Sequence, residues 1–416
     1  MDVLLFEDAL VSRLDPVALG KPAFAVSCGG RRLLDLVAGL GGKLHAHVRP
    51  HLRQVVEADY STVSLAGGFG SGPLLVVNAR LAPTRAAQQL MTELVARNES
   101  AIVFADEVIA VAFLAEELAS RLQRSDAAVD RALAGMPLAK HSATAPLIDY
   151  PHDVLRHHLL SFAENLSATI ATGEYRQTRD GVFLAAGATL GDFITTDTSR
   201  GPIVLDAGAS VGPYCYLRGP VHLGAGARVL EHSVLKDGVS AGHTVKIGGE
   251  VEASIIEPYT NKQHHGFLGH SYLGSWINLG AGTCNSDLKN TYGSVNMDYR
   301  GKKVNTGMQF VGAIVGDYAK TAINTGIFTG KTVGVCSMLY GFVTTNVPSF
   351  VNYARLFGQV TEAPVEVMVS TQRRMFARRG VEQRPCDIQL LHDMHALTSH
   401  ERQALGETLS IEPLSL

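Results

Sequence analysis

Apolar residues recur every six positions through the middle of the chain, and this period is the clearest structural signal in the sequence. Counting by six from Leu205, every position is apolar or aromatic: Leu205, Val211, Leu217, Leu223, Val229, Leu235, Ala241, Ile247, Ala253 and Tyr259. The period resumes in a new phase at Phe267, Leu273 and Leu279, and again at Val315, Thr321, Ile327, Val333 and Leu339. A six-residue period fits neither an α-helix nor the two-residue alternation of a strand. It predicts a parallel β-helix of hexapeptide repeats over residues 181–345.

The repeat is interrupted twice. The first interruption contains the adjacent residues His264 and His265, and the second spans residues 286–310. The coils of a β-helix stack at little cost, whereas a long ejected loop costs ordering entropy, and such loops are usually functional. A prism that serves as a trimerisation scaffold and nothing else would not explain the interruptions.

The regions before and after the repeat have other patterns. Residues 1–150 alternate strand-like runs ("DVLLF", "KLHAHV", "PLLVVNARL", "AIVFADEVIAVAF") with helical ones ("RRLLDLVAGL", "TRAAQQLMTELVAR"), and Thr84 is a plausible N-cap of the second helical run. This alternation predicts an α/β domain with a mainly parallel sheet. Residues 151–180 are predicted to be a helical connector. Residues 346–416 are predicted to be a helical arm.

Composition narrows the function classes. The chain has 416 residues, a formal net charge of −3 and 42 glycines, which the corners of a β-helix explain. The charge gives no reason to expect nucleic acid or an anionic membrane as a partner. The five cysteines form no CxxC pair, the N-terminus lacks the pattern of a secretion signal, and no run is long enough to span a membrane. A cytoplasmic protein is predicted. The basic cluster of the arm, Arg373, Arg374, Arg378 and Arg379, is interpreted as a solvated face that caps the β-helix.

The first interruption carries candidate chemistry. Lys262 precedes the two histidines, Asn278 and Asn285 follow them, and the next stretch is rich in Asn, Lys and Tyr. An imidazole accepts a proton near neutral pH. Asparagine side chains can bind sugar hydroxyls, and lysine can bind phosphate. This combination suits the deprotonation of a sugar amine that attacks a thioester.

The segment "NKQHHGFLGHSYLGSWINLGAGTCN", residues 261–285, resembles the acetyltransferase half of bacterial bifunctional N-acetylglucosamine-1-phosphate uridyltransferases/glucosamine-1-phosphate acetyltransferases. It is most similar to a variant branch of sugar nucleotidyltransferases that carry a hexapeptide-repeat acyltransferase domain. The resemblance covers residues 181–345 well and the first 150 weakly. It implies a left-handed β-helix, a homotrimer, and acetyl-CoA or another acyl-CoA in the groove between neighbouring prisms.

The resemblance also implies roles for individual residues. His264 falls on the catalytic base, and its spacing to Leu268 favours it over His265. Phe267 falls where the better-known enzymes have tyrosine, so one hydroxyl contact to the sugar phosphate is lost. The implied sugar-binding residues are Lys246, Lys262, Phe267, Asn278, Asn285 and Lys289. Gly280 and Ala281 correspond to backbone along the acyl-CoA thioester.

The same resemblance places a nucleotidyltransferase-like (Rossmann-like) domain at the N-terminus, but the chain departs from the family there. The Gly-rich G-x-G-T-R loop is absent, while Arg13 and Lys21 are left as candidate phosphate contacts. Asn78 stands where a metal-binding aspartate ends a strand, and a neutral amide is a poor ligand for Mg²⁺. Asp106 and Asp153 are alternative ligands. The domain is therefore expected either to use Mg²⁺ in nucleotidyl transfer or to be a degenerate sugar-nucleotide-binding domain.

The sequence thus predicts CoA-dependent N-acyl transfer to an amino sugar phosphate or sugar nucleotide, coupled to nucleotidyl transfer. Two alternatives stay open. One is a zinc enzyme similar to γ-class carbonic anhydrases, because His265 and His270 are spaced H-x4-H and His222, His232 or His243 could supply a third ligand. The Asn and Lys residues nearby suit a sugar better than a metal hydrolase. The other is a non-catalytic scaffold that binds a sugar nucleotide.

Overall fold

The computed structural model describes residues 1–65, 68–70, 72–405 and 409–410. They divide into two compact units. The first unit contains Met1–Leu14 and Lys21–His157, and the second contains Asp15–Gly20 and His158–Leu416. Of the predicted arm, residues 406–408 and 411–416 lie outside the described residues. Within the described part of the chain, no helix combines the length and the hydropathy needed to cross a bilayer.

A seven-stranded sheet forms the centre of the first unit, in the order β3-β2-β1-β4-β6-β5-β7. Its strands are β1 Asp2–Phe6, β2 Leu44–His47, β3 Val63–Ser64, β4 Leu74–Asn78, β5 Ala101–Ala105, β6 Val108–Leu114 and β7 Ala139–Ser142. The helices are α1 Leu33–Ala38, α2 Arg53–Asp59, α3 Arg85–Arg97, α4 Glu116–Gln123 and α5 Val129–Ala134, with 3₁₀ turns at Val11–Leu14, Ala23–Ala25 and Pro50–Leu52. The predicted α/β architecture is confirmed.

Local chemistry explains the helix α3. The Thr84 hydroxyl accepts a hydrogen bond from the Ala87 amide at 3.1 Å, as its predicted N-cap role requires, and the helix ends at Asn98 in the left-handed region. The prediction of a mainly parallel sheet holds for β1 to β4 and for the β5–β7 pair. The run "AIVFADEVIAVAF" instead folds as an antiparallel hairpin of β5 and β6, with Asp106 in its turn at φ 52°.

The second unit is a prism of three strand-lined faces. The first face consists of β8 Arg176–Arg179, β9 Val182–Leu184, β12 Ile203–Leu205, β15 Val221–Leu223, β18 Val239–Ala241, β21 Ile255–Ile256, β24 Tyr272–Leu273, β28 Ala313–Val315 and β31 Lys331–Val333. The second face consists of β10 Thr189–Leu190, β13 Ser210–Val211, β16 Arg228–Val229, β19 Lys246–Ile247 and β22 Asn261–Lys262, and it continues through Asn278 into β29 Lys320–Thr321, β32 Met338–Leu339, β34 Val351–Ala354 and β35 Gln359–Glu362.

Two sheets make up the third face. They contain β11 Thr195–Asp197, β14 Tyr216–Arg218, β17 Val234–Lys236, β20 Glu250–Glu252 and β23 Phe267–Gly269, and then β25 Cys284–Asn285, β30 Gly326–Ile327 and β33 Phe342–Val343. The helices of this unit include α7 Val365–Arg378, α8 Pro385–Leu397 and α9 Ser399–Gln403, with a 3₁₀ turn at Arg355–Phe357. The helix α6, Pro151–Thr172, lies in the predicted connector, and its residues Phe162 and Leu166 pack on Val204 of the first face.

The register explains the six-residue period and shows where it fails. Leu205 pairs with Leu223 eighteen positions later, so each face uses six residues per coil. In the following coils the paired residues are fewer positions apart: Ile247 pairs with Lys262, fifteen positions later. The corner at Gly248 and Gly249 accounts for two of the three missing residues, and the third is lost between Val251 and Ile256. A Cβ on Gly248 would lie 2.1 Å from the Gln263 carbonyl oxygen, and Gly249 has a φ of 74°. Two glycines let the chain turn in fewer residues.

This shortened coil corrects the end of the predicted period. Ala253 and Tyr259, predicted to point inward from a strand, are corner residues with φ of 47° and 64°. The period also predicted that Phe267 points inward, but its neighbour Leu268 is the residue that lies in the buried core. The second interruption is confirmed. The strand β24 pairs directly with β28, and the segment between them includes, after β25, an inserted hairpin of β26 Asn296–Tyr299 and β27 Lys302–Asn305.

Candidate functional site

The turn at residues 263–266 joins the second face to the third face and presents two histidines. It follows β22 and precedes β23, and the side chains of His264 and His265 are both exposed. The side-chain amide nitrogen of Gln263 lies 3.3 Å from Nε2 of His264. The predicted base is therefore on the surface of a corner and accessible to a ligand.

The backbone of this turn is held on both sides, although its side chains are exposed. The ammonium of Lys262 donates to the His264 carbonyl at 2.6 Å and to the Gly248 carbonyl at 2.7 Å. The Gly282 amide, on the next coil, donates to the His265 carbonyl at 3.1 Å. Hydrogen bonds from the coils above and below thus fix the position from which His264 extends.

Lys262 occupies an inward position of the prism, and its side chain is 2% exposed. Burial lowers the pKa of its ammonium from 10.5 to about 8. The sequence predicts that Lys262 binds the sugar. Because the ammonium is directed at two backbone carbonyls, we assign it to holding the His264 turn.

Asn285 is buried and also bonds to the backbone. Its Oδ1 accepts from the Gly269 amide, and its Nδ2 donates to the Gly269 carbonyl, both at 2.9 Å. These two bonds fix the end of β23, the strand that follows the His264 turn. Nearby, Nδ1 of His270 bonds to Asp287 at 2.8 Å, and its ring stacks on Phe310. We therefore assign Asn285 to positioning the strand rather than to binding sugar hydroxyls.

Gly280 and Ala281 form the corner of the next coil, directly beside the His264 turn. The Gly280 amide donates to the Thr321 carbonyl at 3.2 Å and to its hydroxyl at 2.9 Å, and the Ala281 carbonyl accepts from the Asn324 amide at 2.7 Å. A Cβ on Gly280 would lie 2.6 Å from the Ala322 backbone. The structure therefore brings the residues predicted to lie along the thioester onto the corner adjacent to His264.

The outward side chains of the second face form a column with cations and amides. Arg228 pairs with Lys246, Lys246 with Asn261, and Asn261 with Asn278 on successive strands. The guanidinium of Arg379, at the end of α7, donates to Oδ1 of Asn261 at 2.5 Å. We call Arg228, Lys246, Asn261, Asn278, Arg378 and Arg379 the basic column.

The cations of the basic column repel one another. Burial, and then the charges of Arg379, Arg228 and Arg378, lower the pKa of Lys246. Burial, and then the charges of Arg378 and Arg228, lower the pKa of Arg379. Among the described residues, none of these four cations forms an ion pair with a carboxylate. Like charges without counter-ions make this surface attractive to an anion.

The third face has a different charge pattern. The ammonium of Lys236 contacts Glu250 at 2.8 Å and Glu252 at 3.0 Å, so two carboxylates surround this cation. Phe267, half-buried, lies on the strand next to Glu250. Lys289 is half-buried in the segment that follows Asn285. The side of the turn that leads into β23 is therefore acidic to neutral, in contrast to the basic column.

The strand ends of the first unit hold a separate polar cluster. Arg80 is completely buried and donates to both oxygens of Asp8, at 2.9 and 2.8 Å, and to Asp149 at 2.6 Å. Asn78, also completely buried, donates to Asp8 and to the Ile109 carbonyl, both at 2.9 Å. The amide predicted to replace a metal ligand is therefore bonded within the protein.

The remaining candidates of the first unit are less confined. Arg13 is exposed and Lys21 is half-buried. The carbonyl of Lys21 accepts from Arg49, which also forms a two-bond ion pair with Glu7. Asp106 lies in a hairpin turn, and Asp153 accepts hydrogen bonds from the amides of residues 149 and 150 at the start of α6.

The zinc alternative has no support in the part of the chain that the structure describes. That part contains no group of three or more His, Cys, Asp or Glu side chains able to hold a metal ion. His270 is bonded to Asp287, and His222 is bonded to Asp206 at 2.9 Å. The pair His265 and His270 therefore gains no third ligand from within one chain.

Sequence reasoning missed several of these residues. It treated Arg378 and Arg379 as a solvated face, and it did not single out Arg80, Arg228 or Lys236. The spacing of Arg228 and Lys246, eighteen residues apart, is a signal that could have placed them on one face. Nothing in the sequence pattern marks Arg80, because its partners Asp8, Ile148 and Asp149 come from two distant segments.

Comparison with known proteins supports both halves of the interpretation. Residues 3–171 match the profile of a family described as sugar nucleotidyl transferase. The chain is 32% identical over 149 residues to a bifunctional sugar-1-phosphate nucleotidylyltransferase/acetyltransferase of Sulfurisphaera tokodaii, covering 35% of this chain and 37% of that protein. It is 30% identical over 131 residues to the bifunctional protein GlmU of Methanococcus vannielii, covering 32% and 28%. The chain thus spans 37% and 28% of the length of these two curated relatives.

Two solved structures resemble the chain at low identity. The Arabidopsis UDP-N-acetylglucosamine acyltransferase is 12% identical with a TM-score of 0.29, covering 57% of this chain and 83% of that one. The Francisella novicida UDP-N-acetylglucosamine acyltransferase is 14% identical with a TM-score of 0.23, covering 54% and 76%. At these TM-scores neither bears on the fold, which rests on the strand pairing.

Proposed function

We propose that this chain, whose residues 3–171 match the profile of the sugar nucleotidyl transferase family, transfers an acyl group from a coenzyme A thioester to the amino group of a sugar phosphate or sugar nucleotide. The observation that carries the proposal is the His264 turn. An exposed imidazole extends from a backbone held by Lys262 and by Gly282, beside the corner of Gly280 and Ala281.

The chemistry follows from an imidazole in this setting. The amine nitrogen of the sugar attacks the thioester carbonyl, and His264 accepts the proton that the nitrogen loses. A bond forms between nitrogen and carbonyl carbon, the carbon–sulfur bond breaks, and the leaving thiolate of coenzyme A takes up the proton that His264 had accepted. Holding the base in place removes part of the entropic cost of bringing the reactants together.

The basic column is the proposed binding surface for the phosphates of the acyl-CoA. Acyl-CoA is a polyanion joined to a neutral pantetheine arm, and the column carries cations that have no carboxylate partners among the described residues. The column includes Asn261, which lies three positions before His264. A ligand whose phosphates bind Lys246 and Arg379 can therefore extend its neutral end toward the turn. Asn278 borders the same path.

The acceptor is proposed to approach from the third face, where Phe267 borders the turn. Lys236 is already neutralised there by Glu250 and Glu252, so the half-buried Lys289 is the proposed partner for an acceptor phosphate. The nearby carboxylates favour an acceptor that carries a cationic amine. A panel of amino sugars with and without a 1-phosphate group tests this assignment directly.

Nucleotidyl transfer to a sugar 1-phosphate is the second candidate activity, favoured by the family match over residues 3–171. Assembly as a homotrimer, which the resemblance implies, belongs to the same proposal, and light scattering of the purified protein measures it.

The test is acyl transfer from acetyl-CoA to glucosamine 1-phosphate and related amino sugars, followed through release of the free thiol. Replacing His264 with alanine is expected to lower kcat by about 10²-fold or more, because a general base contributes this much. The matched control is His265→Ala, since both side chains are exposed on the same turn. Equal rates for wild type and His264→Ala, or a larger loss in His265→Ala, would contradict the assignment.

A further inference from the structure

The strand ends of the first unit form a polar cluster that should hold a metal ion if this unit resembled a magnesium-dependent nucleotidyltransferase. Mg²⁺ in such enzymes is bound by one or two carboxylates together with substrate phosphates. The question for this chain is therefore whether any carboxylate at the ends of β1 and β4 has a lone pair left for a cation.

Asp8 has none left. Its Oδ1 accepts from Nε of Arg80 at 2.9 Å and from the Leu10 amide at 3.1 Å. Its Oδ2 accepts from Nη2 of Arg80 at 2.8 Å and from Nδ2 of Asn78 at 2.9 Å. An ionised carboxylate offers about four lone-pair sites, and all of them are used.

Glu7 is saturated in the same way. Its Oε1 accepts from the Ala23 amide at 2.9 Å and from Nη2 of Arg49 at 3.1 Å. Its Oε2 accepts from the Arg49 amide at 2.9 Å and from Nε of Arg49 at 3.0 Å. The two acidic residues that follow β1 are thus each paired with a guanidinium.

Arg80 has the charge and the position that a bound cation would need. It is completely buried, and it connects Asp8 with Asp149 and with the Ile148 carbonyl. Burial alone would raise the pKa of Asp8, but the hydrogen bonds and the charge of Arg80 outweigh burial and lower it. The carboxyl is therefore ionised and satisfied without a metal.

We infer that the guanidinium of Arg80 takes the place of a protein-held divalent cation at the strand ends of the first unit, so that the described residues at those strand ends provide no metal site. A divalent cation then reaches the unit only as a complex with the phosphates of a nucleotide. The residues present do not fit Mg²⁺ as a resident ion, in contrast to the expectation from the family resemblance. The inference does not depend on acyl transfer at the His264 turn.

The test uses the full chain and Mn²⁺ alone, measured by the loss of the free-ion signal in electron paramagnetic resonance. Wild type is expected to show no Mn²⁺ binding that depends on Asp8 and has a Kd of about 1 mM or tighter. Tight binding by wild type that disappears in Asp8→Asn would overturn the inference.

A second arm asks whether a metal can replace the guanidinium. Arg80→Met leaves the Asp8 carboxylate buried and unpaired, so its Tm is expected to fall by several degrees. Mn²⁺ or Mg²⁺ should raise the Tm of this variant and not that of wild type, and the double variant Arg80→Met/Asp8→Asn should lose the response. A folded Arg80→Met variant that ignores divalent cations would contradict the inference, and if the variant does not fold, the wild-type measurement decides.

Discussion

Replacing Lys262 with methionine separates the stability of the prism from the function of the His264 turn. The substitution keeps an unbranched apolar side chain at an inward position and removes the ammonium that donates to the Gly248 and His264 carbonyls. The expected result is a nearly unchanged Tm together with a kcat lowered by about 10- to 100-fold, because misplacement of a catalytic group by about 1 Å costs this much.

The small change in stability follows from two opposing effects of similar size. Burial lowers the pKa of Lys262 from 10.5 to about 8, which corresponds to a penalty of about 3 kcal/mol at neutral pH that methionine does not have. Against this gain, two carbonyl acceptors lose their donor, at about 1–3 kcal/mol each. The free energy of unfolding should therefore change by between about +1 and −3 kcal/mol, with a midpoint near −1 kcal/mol.

The pH dependence gives a separate check. The ammonium has a lower pKa in the folded chain than in the unfolded chain, so between about pH 8 and 10.5 the unfolded chain binds more protons. The stability of wild type should therefore rise relative to Lys262→Met as the pH increases through this range. Urea unfolding at pH 7, 8, 9 and 10 measures the difference, and Lys303→Met, an exposed lysine of the inserted hairpin, is the control. A flat difference, or an unchanged kcat, would refute the assignment of Lys262.

Two further predictions concern other parts of the second unit. Lys246→Gln and Arg379→Gln should each raise the KM for acetyl-CoA by about tenfold and weaken the dependence of that KM on salt. The control Arg373→Gln, on helix α7, should change neither. Equal effects of all three substitutions would contradict the assignment of acyl-CoA binding to the basic column. His158 is buried and bonded to the Gly238 carbonyl, and burial lowers its pKa from 6.5 to about 4. The unfolded chain binds more protons between these values, so wild-type stability should fall as the pH drops from 6.5 to 4, and His158→Gln should show a smaller fall in the same urea titration.

The β-helix was predictable from the sequence because each of its three faces demands one apolar inward residue per coil. The positions from Leu205 to Ile247 keep that period, and all of them lie in the buried core. The phase shift after Ile247 was not predictable in detail, because it depends on how tightly the corner at Gly248 and Gly249 turns. That corner and the next one, between Val251 and Ile256, together place Lys262 at an inward position, where its ammonium donates to the backbone of the His264 turn.

In the first unit, the sequence pattern did not identify the partners of the charged residues. The strand "LLVVNARL" and the missing Gly-rich loop are visible in the sequence, and they raise doubt about a metal site at the end of that strand. The reason for that doubt, however, was assigned to Asn78. The structure shows that Arg80, two residues later, neutralises Asp8, and this pair joins residues 72 positions apart. A sequence pattern identifies residue types along an element but not the partners that tertiary folding brings to them.

The two units differ in whether the charged side chains of the strand-end cluster and of the basic column have partners of opposite charge, and this difference affects where polyanions bind. In the first unit, the carboxylates of Asp8 and Glu7 have all their lone pairs filled by donors that include guanidinium groups, so these two carboxylates attract a metal ion little. In the second unit, burial and then the charges of neighbouring cations of the basic column lower the pKa values of Lys246 and Arg379, and the cations of the column have no carboxylate partners among the described residues. Keeping like charges together costs free energy that an anionic ligand recovers on binding. A phosphate-bearing ligand should therefore bind the second unit with the steeper dependence on ionic strength, and the cation count of the column sets that slope.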